Sequence, residues 1–292
     1  MHGAVLSLTQ NSELKTARSF SSGGIRYNTK SGRHAPLLHI VWVLVRRAFD
    51  AMNNTSSHAV HSVKLGWTRC YLLKCTGGYL LIDTDYPKYY PRFEKKLARL
   101  GIATSDIKYL LLTHHHDDHA GFAAELVRST GCQVIAHRHA VLPLKQGESQ
   151  ETIKPVNRRI QIVFTLYMLF HKEFKFPPVT LTEKDIVIEG DNDSLLKEIG
   201  IDGVILHTPG HTRDSISVLL SDGSAFVGDA AMNFLRWTGV AHRPIYVEDI
   251  NTVYESWRKL RERGASVIYP AHGRPFFATK LEKLVGQAPP YI

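Results

Sequence analysis

Six consecutive residues constrain this chain more than any other stretch: His114, His115, His116, Asp117, Asp118 and His119. Spaced as His-x-His-x-Asp-His, they bring four metal-binding side chains within six positions. Imidazole and carboxylate are ligands that zinc and similar divalent ions accept. So many ionisable groups in one turn would cost stability unless something binds there. A fold that contains them has to present them to a cleft.

The flanking pattern says how. Residues 107–113 form a short, mostly apolar run that reads as a buried strand, and residues 120–127 read as a helix. The run therefore occupies a strand-to-helix turn at the mouth of a sheet. Alternation points His114 and His116 one way and leaves Asp118 and His119 at the helix start, which favours two adjacent metal ions over one. Three later motifs repeat the arrangement of a β-rich run, a small residue, then His or Asp. They are Pro209-Gly210-His211 after residues 203–207, Gly228-Asp229 after residues 225–227, and Pro270-Ala271-His272 after residues 266–269. Small residues let the backbone turn sharply and free the ligand to face a cleft.

With Asp83 in Leu80-Leu81-Ile82-Asp83-Thr84 ahead of them, these motifs stand in an order that resembles the metallo-β-lactamase superfamily of metal-dependent hydrolases, over residues 61–277. The resemblance implies an α+β fold, a four-layer αββα sandwich with the metals in a cleft at one edge of its two sheets. It implies His114, His116 and His211 as ligands of a first divalent ion, and Asp118, His119 and His272 as ligands of a second. Asp229 is implied as the carboxylate bridging both, and Asp83 as a buried support behind the ligand loops. Asp85 stands where many members have Gly; it either adds a carboxylate near the site or turns outward.

The expected cofactor is a pair of divalent ions, zinc first, with iron or manganese served by the same side chains. The expected reaction is hydrolysis of a carbonyl group in a lactone, β-lactam, ester or thioester by a metal-bridging hydroxide. Asp118 is the candidate catalytic residue, orienting the nucleophile and carrying a proton to the leaving atom. The alternatives are a phosphodiesterase or nuclease on the same metals, and a non-catalytic binding module that the metals stabilise. By resemblance, Asp229 sets the chain apart from true metallo-β-lactamases, which have Cys or Ser there, and favours lactonase-like, thioesterase and phosphodiesterase branches. A His at 116 favours hydrolysis over the oxygen chemistry of the di-iron branch, which carries Glu. A glutathione thioester is disfavoured because only twenty residues follow His272, without the helical domain that such enzymes append.

Other residues have quieter readings. His2, His34, His39, His58, His61, His137, His139, His171 and His242 are expected on the surface or in ordinary hydrogen bonds, and His207 in the core or behind the ligands. His115 and Asp117, the intervening positions of the run, are not expected to ligate. Arg213, Arg236, Trp237 and Tyr246 lie near ligand motifs but are expected to be ordinary packing or surface residues.

Residues 146–181 read as a helical insertion. Val163, Tyr167, Phe170 and Phe174 fall at spacings of one helix face, with Phe164 and Met168 on another, until Pro177-Pro178 breaks the pattern. A helix apolar over so much of its girth has to be covered. It serves as a lid or pocket wall over the metals, or packs at the domain edge or in a homodimer interface.

The remaining strands and helices fit one domain over residues 58–292. Residues 71–75 and 79–82 flank a hairpin turn, as do residues 217–220 and 224–227; helices are expected over residues 90–100 and over 249–263, the latter capped by Asp249. Residues 1–57 stand apart as an N-terminal extension, rich in Ser, Gly, Asn and Thr and read as mobile through Gly32. The apolar run at residues 37–45 is nine residues long, too short to span a bilayer, and Met52 offers an alternative start. Of the net charge of +9, seven basic and two acidic residues in positions 1–51 account for five, leaving an ordinary four for the rest. No nucleic-acid footprint is evident, so a small-molecule substrate is expected. Three cysteines, Cys70, Cys75 and Cys132, make an odd number outside the ligand set and favour a reducing, cytoplasmic setting.

Overall fold

The computed structural model describes residues 60–149, 153–168, 174–285 and 287. The extension at 1–57 lies outside them, as do Phe170 and His171 of the insertion. One sheet has six strands in the order β1 (Val60–Lys64), β2 (Arg69–Cys75), β3 (Gly78–Ile82), β4 (Ile107–Leu111), β5 (Gln133–His137) and β7 (Ile186–Ile188). Strand β6 (Lys154–Pro155) pairs instead with β11 (Tyr246–Val247). The second sheet runs β13 (Phe276–Phe277), β12 (Val267–Pro270), β10 (Ser224–Gly228), β9 (Ile216–Leu220), β8 (Gly203–His207). No described helix is long and apolar enough to cross a membrane.

The strands read as continuous apolar runs because both faces of each sheet are covered. Along β2 and β3, Leu73, Leu80 and Ile82 face a core shared with Ile205, Ile216, Val218, Leu220 and Phe226 of the second sheet. Their neighbours Leu72 and Leu81, with Leu110 and Val134, pack on Phe93, Leu97, Phe122 and Leu126 of an outer helical layer. On the second sheet, Leu219, Ala225, Val227 and Ile268 meet Val253, Trp257 and Leu260 of helix Ile250–Glu262. Three cores between four layers make the αββα sandwich that the resemblance implies. Asp249 caps that last helix as expected, accepting from the Asn251 and Thr252 amides at 3.2 and 3.1 Å.

Strands β3, β4 and β5 are parallel, as are β10 and β12, and β8 runs with β10 because β9 is antiparallel to both. Ligand-bearing loops therefore leave the carboxyl ends of β3 and β4 in one sheet and of β8, β10 and β12 in the other, the place where open α/β sheets bind ligands. Gly228 adopts φ +51°, and a Cβ there would collide with the Thr113 side chain. The missing side chain lets Asp229 approach the histidine-rich turn from the opposite sheet.

Two sequence expectations change. The helix read over residues 120–127 is split into Asp117–Ala120 and Ala123–Thr130. A Cβ on Gly121 at the break would run into the carbonyl oxygens of Asp117 and Asp85, so the loop carrying Asp85 packs directly on the chain there. The insertion contributes one described helix, Arg158–Met168, and not Phe174, which lies beyond it in irregular chain. It is held by β6 against β11 and by the Val156 amide donating to the Ile245 carbonyl at 3.0 Å.

Candidate metal centre

All seven candidate ligands come together. His114 Nε2, His116 Nδ1 and His211 Nε2 form a triangle with sides of 3.1, 3.2 and 3.2 Å. Those sides are close to the ~3.3 Å edge of a tetrahedron with bonds of about 2.0 Å, the zinc–imidazole length. Beside it, His272 Nε2 lies 3.0 Å from Asp118 Oδ2 and 3.4 Å from Asp229 Oδ1. His119 Nε2 lies 3.6 Å from Asp118 Oδ1 and 3.4 Å from Asp229 Oδ1. Asp229 Oδ2 is 3.8 Å from His211 Nε2, so this carboxylate reaches both groups.

The tautomers are set from behind. His211 Nδ1 donates to the Tyr246 carbonyl at 2.7 Å, His272 Nδ1 to the Trp67 carbonyl at 3.2 Å, and His119 Nδ1 to Asp83 Oδ2 at 2.9 Å. His114 Nδ1 sits 3.1 Å from Thr113 Oγ1, which itself donates to Asp83 Oδ2 at 2.8 Å. In each case the outward nitrogen carries a proton and Nε2 is the atom turned inward, the outer arrangement that metal-bound imidazoles use. Among the described residues, four buried side-chain atoms have no hydrogen-bond partner: His137 Nε2 outside the cluster, and three within it, His116 Nε2, His119 Nε2 and Asp229 Oδ1. Native structures seldom leave such atoms orphaned, and cations accepted by the cluster would satisfy two of the three. The donor set thus fits a metal centre, in three overlapping triads: His114–His116–His211, His114–His119–Asp229 and Asp118–His119–His272.

The charges agree. Burial, reinforced by neighbouring imidazoles, pushes His114 and His116 well below the ordinary histidine range, so both are neutral donors at pH 7. Burial opposes charge on His272 too, but Asp229 and Asp118 outweigh it and lift this group to about 9. Asp118 resists burial through His119 and His272 and falls to about 2. In the metal-free protein, protons on His119 and His272 stand in for a second cation between ionised carboxylates.

Asp83 is the buried support that the resemblance implies. It holds φ +58°, a left-handed conformation that Asp and Asn tolerate better than most residues. Its Oδ1 accepts from the Thr113 amide at 2.7 Å. Replacing it by alanine would strip His119 and Thr113 of their buried acceptor and strain the backbone. The expected cost is about 3–5 kcal/mol, read by urea unfolding of the metal-free protein, with Asp83→Asn losing less because it suits the same backbone.

Asp85 turns inward. It is buried, accepts from the Gly66 and Tyr86 amides at 2.9 and 2.8 Å, and burial with the nearby Asp118 charge pushes it up to about 6. His115 points away from the ligands into the buried carboxylate of Asp214, its Nδ1 3.0 Å from Oδ1 and its amide 3.0 Å from Oδ2. Asp214, which the sequence reading missed, thereby ties the His211 loop to the histidine-rich turn. Asp117 does not face the ligand groups; it accepts from Ser149 Oγ and lines the cavity above them. His207 sits behind, stacked on His137 at 4.2 Å with its Nε2 2.8 Å from the Arg213 carbonyl.

A cavity of about 380 Å³ opens over His116, Asp118, His211, Asp229 and His272. Val163, Phe164, Tyr167 and Phe174 of the insertion line it, so this segment forms a wall of the cavity. Of the four flanking residues weighed as packing, only Tyr246 lines it; Arg213 pairs with Glu248 at 3.6 Å and Trp237 is 69% exposed. Trp67, Tyr86, Met232 and Phe234 also line it; Tyr86 lies a few residues from Asp83 and Met232 and Phe234 a few from Asp229, whereas Trp67 had no sequence signal.

A family model described as the metallo-beta-lactamase superfamily matches residues 66–272. The chain belongs to this superfamily. A beta-lactamase-like protein 2 homolog of Drosophila melanogaster is 24% identical over 79% of the chain, which spans 65% of that relative's length. A hydroxyacylglutathione hydrolase of Rhodopseudomonas palustris is 28% identical over 63% of the chain and 50% of its own length. Among solved structures, an archaeal superfamily protein from Sulfolobus tokodaii superposes with a TM-score of 0.55 at 21% identity, covering 77% of this chain and 84% of that one. A subclass B3 metallo-beta-lactamase of Bradyrhizobium japonicum gives 0.51 at 24% identity, covering 73% and 74%. These likenesses share the superfamily's fold.

Proposed function

We propose that the chain is a dinuclear metallohydrolase that attacks a carbonyl carbon, with zinc the expected metal. The observation that carries this reading is the position of Asp229, whose two oxygens reach from the three-histidine triangle to His119 and His272. His114, His116 and His211 would hold one ion, Asp118, His119 and His272 the other, and Asp229 both. Two such ions supply a water whose pKa falls towards about 7 and a Lewis acid for the substrate oxygen. The chain's own residues do the rest. Asp118, held between His119 and His272, takes up the proton that attack releases and returns it to the departing oxygen. Thr68 Oγ1 donates to Asp118 Oδ2 at 3.5 Å, the oxygen that His272 also faces, and helps to orient the carboxylate. The aromatic walls keep bulk water from the carbonyl.

The test is one preparation, with metal content measured, assayed on an aryl ester, a lactone, nitrocefin and bis(p-nitrophenyl) phosphate. About two ions per chain and turnover of a carbonyl reporter are expected. Turnover of the phosphodiester alone would replace this reading by a phosphodiesterase, and bound metal without any turnover would replace it by a binding module.

A further inference from the structure

The cavity above the ligands has a composition that the chemistry of the centre does not require. Its walls away from the ligands are aromatic, with Trp67, Phe164, Tyr167, Phe174, Phe234 and Tyr246 among them. The rings are mutually packed: Trp67 lies 5.6 Å from Phe234 and 6.3 Å from Tyr167, and Phe164 lies 5.5 Å from Tyr167, 5.9 Å from Phe174 and 4.6 Å from Tyr246. Tyr86, in the loop after β3, and Tyr167, on the insertion helix, both line the cavity and join these two parts of the collar. No Lys or Arg is among the described residues lining the cavity, and its charged side chains apart from histidine are the carboxylates of Asp117, Asp118 and Asp229.

This bears on charge as well as size. An anionic group seated away from the metal ligands, such as the carboxylate of a β-lactam or of a glutathione thioester, would have to leave water for walls where no described lysine or arginine meets it. Burying an unpaired charge is among the costliest events in recognition, and sites that select such groups supply arginine or lysine for the purpose. A neutral apolar group meets no such penalty and gains from every ring it covers. The volume bounds its size. At about 30 Å³ per small group, 380 Å³ holds roughly a dozen heavy atoms.

We infer that the preferred substrate is a neutral ester or lactone whose acyl portion is apolar and of medium length, about eight to ten carbons, seated in the aromatic collar that the insertion completes. The inference rests on the carbonyl-hydrolase reading for its reaction, and on the cavity alone for its specificity. Phe164 and Tyr167 are the specificity-determining residues contributed by the insertion, and Trp67 is the residue facing them across the mouth.

Two measurements separate the two layers. The first is kcat/KM for p-nitrophenyl esters from acetyl to dodecanoyl, beside bis(p-nitrophenyl) phosphate. A gain of about threefold to fourfold per methylene is expected up to about eight to ten carbons, then a plateau. Phe164→Ala should lower the octanoyl value at least tenfold, and Phe164→Leu, which keeps an apolar filler, should lower it less. The second needs no turnover. Methyl ketones from butan-2-one to undecan-2-one are titrated into loaded and chelator-treated protein, and the fluorescence of Trp67, 61% exposed at the mouth, is followed against a Trp67→Phe control. Binding should tighten with chain length in both forms.

Ester hydrolysis that is metal-dependent but flat in chain length would overturn the apolar-cavity inference and leave the carbonyl reading standing. A ketone ladder without hydrolysis of any ester would sink the carbonyl reading and keep the inference about the cavity. Faster turnover of the phosphodiester than of the octanoyl ester would overturn both.

Discussion

Replacing Asp229 by alanine is expected to lower hydrolysis at least about a thousandfold and to drop the bound metal below two ions per chain. The argument is geometric. Among the described residues Asp229 is the one carboxylate within reach of both ligand groups, 3.4 Å from His119 and His272 through one oxygen and 3.8 Å from His211 through the other. Outer partners of metal ligands already cost about 10–100-fold in affinity when removed, and a shared inner ligand should cost more. Asp118→Ala separates the roles. It removes the proposed proton carrier, a contribution of about 10²–10⁴-fold, while His114, His116 and His211 would remain to hold an ion. Elemental analysis beside kcat on both variants reads the difference. An Asp229→Ala protein with full metal and ordinary rates would remove the bridging role.

Stripping the metal is the second large effect. The centre gathers five buried imidazoles, the buried carboxylate of Asp229 and the half-buried one of Asp118 at the seam between the sheets, and only cations or protons can offset their mutual repulsion and desolvation. At free zinc a thousandfold above Kd, one site adds about 4.1 kcal/mol of stability. For a domain of this size that is a rise of about 8–16 °C in Tm. The gap between loaded and stripped protein should widen with pH. In the stripped protein His272 titrates near 9, above its unfolded value near 6.5, so its ion pairs with Asp229 and Asp118 stabilise fully below about pH 6.5. That stabilisation is lost as pH rises through about 9. His114 and His116 shift the opposite way, so the stripped fold also weakens as pH falls below about 6.5, where the unfolded chain takes up protons that the buried rings refuse. Calorimetry of both forms between pH 6 and 9 tests this; a constant gap would mean that protons do not occupy the empty cradle.

Much of the centre was legible because metal chemistry restricts residue type and spacing together. His114 to His119 fixed one half of it, and the repeated motif of a strand, a small residue and a ligand located His211, Asp229 and His272. Asp83 was legible only through the resemblance, which implies a buried support at that place. Asp214 was not, because a buried carboxylate paired with a histidine 99 positions away leaves no local pattern. The aromatic walls were only half legible. Helical spacing flagged Val163 and Tyr167, whereas Trp67, Tyr86 and Phe234 sit in irregular loops without periodicity. Asp85 was ambiguous for a related reason: alternation assigns a face within a strand, and Asp85 lies past the end of one.

The sequence alone determined which side chains can bind divalent ions, their order, and the strand-ended loops that carry them, because ligand identity and backbone turning are local properties. Tertiary structure decided the rest. It set how far apart the two ligand groups stand, which nitrogen of each imidazole faces inward, and that the cavity above them is walled by rings without a described lysine or arginine. Those features arise where two sheets and an insertion meet, and contacts between residues distant in the chain are written into no single stretch of it.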